Sequence, residues 1–406
     1  MNWKVIRKVD IYAGIPLLYL VFFIKKLFRQ QYASADNNNY KKILLIKFWG
    51  IGNTIMIMPS AHALRKRYPS AQLDCLTLLS NKTAANAARE FSHIHTIDTD
   101  NLATFTITTL KNIIALKKEK YDLVIDFEQF ARFSALLCAL FRSTVSIGFD
   151  TKAQHRHFMY TYPIRYNNNI HITHSFYNLA ERAGVTSRYD AKDSLLSCEQ
   201  SDIDAVWELL RGLGITPKGI LIVMHIGTSH NFIERRWPAK YFAALADKLT
   251  ENLNATILFT GLADEAALAK EAHGHMRRAE RAFDISGKLN FNQYASLISL
   301  CDLVISADTA SVHIASALSV PVAGIYGPNT PFLYGPWRKN GIWFYKKLSC
   351  SPCITNYNSK VNICRHPKGR GSCMHNISAD EVFSGIYAAY FNNAAKFQLK
   401  KIAQYA

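Results

Sequence analysis

The residues best placed for chemistry lie between Cys301 and Pro336, in the run CDLVISADTASVHIASALSVPVAGIYGPNTPFLYGP. Asp302 to Ser306 and Val320 to Tyr326 read as short buried strands, with a small apolar helix, Val312 to Leu318, between them. Asp308 and Thr309 are helix starters, so the helix opens directly after a strand. Such an opening turns unpaired backbone N–H groups and the positive end of the helix dipole outward, where they stabilise an anion. The expected donors are the amides from Thr309 through Ala310 and Ser311 to Val312, joined by the Thr309 and Ser311 hydroxyls. His313 follows Thr309 by one turn, so its ring can face the same anion.

Other segments carry further candidates. KFWGIGNTIMIMPSAHAL follows an apolar strand, and its Lys47, Gly50 and Gly52 form a turn that lets a ligand approach the backbone. YDLVIDFE ends in Asp126 and Glu128, two carboxylates at a strand's carboxyl end that suit proton transfer. HIGTSHNFIERRWPAKYFAAL brings Arg235 and Arg236 to a helix expected to begin at Trp237-Pro238. In ATILFTGLADEAALAKEA a strand leads through Gly261 to Asp264 and Glu265. Cys350 and Cys353, then Cys364 and Cys373, have a spacing that permits a tetrahedral zinc site of structural type.

These motifs need a scaffold that places strand ends side by side. From Lys41 the chain alternates strand-like and helix-like segments, and a second alternation begins at GILIVMHIG. Each set implies a parallel sheet covered on both faces. The expected fold is therefore α/β, two doubly wound Rossmann-like domains facing a central cleft. The first spans 40–200 and the second 201–378, with a carboxyl-terminal helix in 379–406 returning to the first domain.

Residues 1–36 form a separate basic and apolar segment. Ile11 to Ile24 is an apolar run between Lys4, Arg7, Lys8 and Lys25, Lys26, Arg29. A single span needs about 20 residues, so the expected behaviour is an uncleaved, shallow anchor on a membrane surface. A true span and a signal peptide cut near Ala33-Ser34-Ala35 are the alternatives. The formal charge of +18 suits anionic lipid, a nucleoside diphosphate or a phosphorylated acceptor. Dispersed basic residues with no recognisable nucleic-acid motif argue against nucleic acid as a partner.

Taken in order, the motifs resemble those of glycosyltransferase family nine, the bacterial heptosyltransferases, over nearly the whole chain after residue 40. D-T/S-x-x-x-H leading to P-x-x-x-x-[FY]-G-P matches the family's donor signature, and the segment from Lys47 to Leu64 matches its amino-terminal signature. The resemblance implies the GT-B architecture and a metal-independent, inverting transfer of a sugar, heptose from ADP-heptose, onto lipopolysaccharide core or a related surface glycan. The nucleotide-sugar is a co-substrate and no cofactor is required. The work would be done at the cytoplasmic face of the inner membrane.

It also implies donor contacts from Arg235, in place of the family's Lys, from Glu265 and from Asp308 through His313, with Ser286 and Gly287 near the base. One position departs. Asn53 stands where the family has an Asp thought to act as base, and an amide cannot take a proton at neutral pH. Asn53 is left to orient the acceptor, and Asp126, which matches a recurrent family Asp, becomes the expected base, with Glu128 beside it. The tract from His155 to Tyr166, with His171 and His174, is expected to shape acceptor choice. A nucleotide-sugar epimerase of the same architecture and a non-catalytic glycan-binding homologue are the competing functions, and a dinucleotide oxidoreductase is disfavoured by the incomplete G-x-G-x-x-G.

Overall fold

In the computed structural model the apolar runs form two six-stranded sheets, every strand parallel to its neighbours. The structure describes residues 3–27, 39–141, 143–187, 194–216, 219–354, 364, 366–367 and 369–392. The chain divides between Ser197 and Cys198 into two units, each built on one sheet.

In the first unit the strands are β1 (Lys42–Ile46), β2 (Gln72–Leu78), β3 (His93–Ile97), β4 (Leu123–Asp126), β5 (Val145–Asp150) and β6 (Tyr162–Arg165), in the spatial order β3-β2-β1-β4-β5-β6. The second unit has β7 (Leu221–His225), β8 (Thr256–Thr260), β9 (Ala282–Asp284), β10 (Leu303–Ala307), β11 (Val322–Tyr326) and β12 (Gly341–Tyr345), ordered β12-β11-β10-β7-β8-β9. Both orders reverse direction beside the first strand, between β1 and β4 and between β7 and β10. At such a switch point the helices leave on opposite faces and open a crevice beyond the strand ends, where ligands bind.

The strands missing from the sequence reading are β3, β6 and β12, all at sheet edges. Edge strands are half solvated, so HIHTI and YPIR lack the continuous apolar run that marks an inner strand; GIWFY carries one from Ile342 to Tyr345 that escaped the sequence reading. The segment after β1 forms two helices, Ile51–Met56 and Met58–Arg67, because Pro59 has no N–H to continue the first ladder. Pro238 precedes its helix, Ala239–Leu253, as the cap. The last helix, Ala379–Ile386, packs on that Ala239–Leu253 helix within the second unit. Residues 393–406 of the expected 379–406 helix lie outside the described residues.

The apolar amino-terminal segment forms two helices, Trp3–Tyr12 and Gly14–Leu27. Neither is long and apolar enough to cross a membrane. They dock on the Arg132–Leu140 helix. Asp10 accepts hydrogen bonds from the Arg132 and Phe133 amides at 2.9 and 3.1 Å, capping that helix from outside, and Arg132 returns an ion pair at 3.2 Å. Leu18 is fully buried, and Tyr19 and Phe22 each pack on Phe158 at 5.1 Å. Ala33 to Ala35, the alternative cleavage site, lies outside the described residues.

Candidate functional site

In the second unit the expected donor residues come together where β7 and β10 end. The helix after β10 is Ala310–Ala317, opening earlier than its apolar run suggested because Thr309 caps it, its Oγ1 accepting from the Ser311 amide at 3.2 Å. Ser306 fixes the Thr309 hydroxyl at 2.8 Å. Arg235 reaches across the switch point, donating to the Asp308 carbonyl at 3.1 Å with its Nη1 3.5 Å from Oδ2 of the same residue. Asn329 donates to that Oδ2 at 3.0 Å. A guanidinium is thus held against the mouth of the helix, where a diphosphate would need it.

Glu265 comes from the β8 side and is buried, Oε2 accepting from the Leu262 amide at 2.9 Å. Its carboxylate rests on Gly227, just beyond β7, where a Cβ would collide with it. Gly287, at φ +71, presses against Ala263, so the Ser286-Gly287 turn closes on the loop that carries Glu265. Tyr294 donates to Ser311 Oγ at 2.8 Å, and its hydroxyl lies 3.3 Å from His225 Nδ1. Burial alone lowers His225 to about 4. His313 is buried and stacked on Trp337, ring centroids 5.6 Å apart. Burial lowers it to about 4 despite nearby Asp308, so the ring is neutral near pH 7 and meets an anion as an N–H donor, not a cation. Its Nδ1 makes no hydrogen bond among the described residues.

The first unit's switch point holds a buried polar network. Lys47, Asp126, Glu128 and Arg156 are all 0% exposed. Glu128 Oε1 accepts from Lys47 Nζ at 3.0 Å and from the Phe48 and Trp49 amides at 2.7 and 2.9 Å, so it holds the β1 loop in place. Burial depresses the Lys47 ammonium, and Glu128 opposes the shift. Glu128 Oε2 makes no hydrogen bond among the described residues. Gly50 takes φ +83 and makes the turn, whereas Gly52 lies inside the Ile51–Met56 helix, so only one of the two glycines acts as a turn residue. Asn53 is half-buried, and its Oδ1 also lacks a hydrogen bond among the described residues.

Asp126 joins the network through both carboxylate oxygens. Its Oδ1 accepts from the Glu128 amide at 2.9 Å, and its Oδ2 accepts from Arg156 at 2.7 Å and Tyr160 at 2.6 Å. Burial raises the carboxyl while Arg156 and Tyr160 oppose the shift. With both oxygens engaged, Asp126 anchors Arg156 in this network.

A sequence profile of glycosyltransferase family 9 (heptosyltransferase) matches residues 110–363. The chain belongs to glycosyltransferase family 9. Escherichia coli K12 lipopolysaccharide heptosyltransferase 3 is 25% identical over 305 residues, covering 72% of this chain and 85% of that one. Campylobacter jejuni lipooligosaccharide heptosyltransferase 2 is 22% identical over 82% of this chain and 93% of its own. Among solved structures, a family 9 glycosyl transferase from Veillonella parvula superposes with a TM-score of 0.71 at 21% identity, covering 87% of this chain and 98% of that one. The E. coli ADP-heptose lipopolysaccharide heptosyltransferase II gives 0.65 at 16%, with 87% and 99% covered. The fold is GT-B.

In this family 9 glycosyltransferase several site residues escaped the sequence reading. Gly227 is one, visible only once Glu265 is seen lying on it. Arg156 sits within the aromatic tract assigned to acceptor choice, yet it and Tyr160 are buried partners of Asp126. Among the described residues no disulfide joins the cysteines, and no three Cys, His, Asp or Glu side chains converge to hold a metal ion. Burial, with neighbouring cysteines adding to it, raises Cys353 to about 11 and Cys373 to about 12, so both are thiols near pH 7. Cys373 and Met374 pack over Gly327, where a Cβ would strike both sulfurs. A cavity of about 300 Å³ lined by Ile226, Trp237, Leu268 and Arg370 contains none of the expected donor residues.

Proposed function

We propose that this family 9 glycosyltransferase moves heptose from ADP-heptose onto a lipopolysaccharide or lipooligosaccharide core saccharide by an inverting, metal-independent displacement. The observation that carries the reading is the convergence of Arg235, Glu265 and the Thr309-capped helix at the end of β7 and β10. That constellation neutralises a diphosphate with fixed dipoles and a guanidinium. The acceptor hydroxyl oxygen bonds to the anomeric carbon, the bond from that carbon to the diphosphate oxygen breaks, and the hydroxyl proton passes to a carboxylate of the first unit. Glu128 takes that role, because among the described residues its Oε2 has no hydrogen bond whereas both Asp126 oxygens are engaged. Asn53 Oδ1 accepts from the acceptor hydroxyl and orients it.

A lipid-borne acceptor places the enzyme at the cytoplasmic face of the inner membrane, where the basic chain meets anionic lipid. The test is thermal stabilisation by a panel of nucleotide-sugars followed by a transfer assay on core saccharides. A ligand at a hundred times its dissociation constant adds about 2.7 kcal/mol. Selective stabilisation by ADP-heptose with transfer is the expected result. Selectivity for another nucleotide moves the donor, and stabilisation without transfer or hydrolysis points to the binding-only homologue that Asn53 suggests.

A further inference from the structure

We propose that two apolar stripes on the first unit, one on the Gly14–Leu27 helix and one on the Leu102–Glu119 helix, form a single docking surface for an anionic lipid bilayer. The proposal deepens the membrane part of the reading above and rests on it. Leu17, Leu20, Ile24 and Leu27 recur at spacings of three and four, so they share one helix face, and all are exposed. Leu18, on the opposite side, is buried, so the helix is fixed by its inner face and presents the outer one. The second helix repeats the design. Phe105 and Leu116 turn inward, while Ile107, Leu110 and Ile114 share the outer face and are more than half exposed.

Both helices pack on the Arg132–Leu140 helix and therefore lie on the same side of the sheet. Phe133 packs on Phe105 of the Leu102–Glu119 helix at 5.4 Å, and Asp10, on the Trp3–Tyr12 helix that leads into Gly14–Leu27, caps the same Arg132–Leu140 helix. Folding thus leaves two rows of large aliphatic side chains in water on one side of the unit, when a soluble surface would carry polar residues there.

Charge chooses the occupant. No acidic residue occurs between Ile11 and Ala35 or between Asn101 and Lys118, whereas Lys26, Lys111, Lys117 and Lys118 border the stripes and are exposed. A second copy laid face to face would bring lysines against lysines. An anionic bilayer accepts the aliphatic stripes at the acyl boundary and pairs the lysines with its headgroups.

The test is co-sedimentation of the full chain with vesicles of phosphatidylethanolamine and phosphatidylglycerol, and with phosphatidylcholine alone. Binding to the anionic vesicles should be about tenfold stronger and should weaken with salt. Leu110→Ser with Ile114→Ser, and separately Leu20→Ser with Ile24→Ser, should each lower it about tenfold. All four positions are exposed, so an unchanged melting temperature checks that the fold is intact. Transfer to a delipidated acceptor should be unchanged in these variants. Absence of anionic binding, or binding indifferent to the Leu110/Ile114 pair, overturns the proposal. So does a concentration-dependent dimer abolished by that pair, which would show a second copy on the face. Wild-type protein that binds the vesicles in this way yet transfers no sugar sinks the transferase reading and leaves the surface standing.

Discussion

Arg156 donates to Asp126 Oδ2 at 2.7 Å and to the Glu128 carbonyl at 2.5 Å, so one guanidinium ties the end of β4 to the loop that follows it. Both side chains are fully buried. Removing either leaves an uncompensated charge in a low-dielectric site, at a cost of about 3–5 kcal/mol. Arg156→Leu and Asp126→Ala should therefore each lower the melting temperature strongly. Asp126→Asn keeps the shape and, per folded molecule, should retain most of the turnover. A collapse of turnover in Asp126→Asn with stability unchanged would restore Asp126 as the base.

Glu128→Gln preserves an acceptor for Lys47 and the Phe48 and Trp49 amides but removes the proton acceptor. Turnover should fall by a factor of about 10² to 10⁴ while ADP-heptose affinity stays within about twofold. Asn53→Asp, added to Glu128→Gln, supplies a carboxylate at the family position and should recover part of the loss. Steady-state kinetics on the two variants decides it, and full activity in Glu128→Gln removes Glu128 from the chemistry.

Gly227→Ala should weaken the donor specifically, because its Cβ displaces the Glu265 carboxylate. An effect of about 1.4 kcal/mol or more, a tenfold rise in the dissociation constant, is expected by calorimetry. Glu265→Ala should weaken donor binding in the same direction, and the double variant should be little worse than either single one, since both act through one carboxylate. Full additivity would mean that the glycine and the acid act apart.

His313 sets a pH dependence. Its folded value of about 4 lies below the ordinary histidine value of 6.5, so between those limits the unfolded chain binds more protons. Stability should then fall as pH drops from about 6.5 toward 4. His313→Asn should flatten that part of the profile of melting temperature against pH. An unchanged slope would assign it to other groups, with buried His225 next to be replaced.

Much of this protein is legible in its sequence, and the reasons are local. Inner strands such as LVISA and LIVMH are apolar over most of their length because both faces are covered, and the cap at Thr309 follows from its side chain and position. The donor residues stand at strand ends in a fixed order, so their convergence could be expected from alternation alone, as could the two doubly wound sheets. What the tertiary structure decided depends on partners distant in sequence. Asp126 was read by its place at a strand end, and only folding brings Arg156, thirty residues on, to occupy it. The apolar run from Ile11 to Ile24 could have spanned, been cleaved or lain on a surface. Its docking through Asp10 and Leu18 onto the Arg132–Leu140 helix fixes its inner face, because a half-buried carboxylate and a buried leucine need partners that hydropathy does not name.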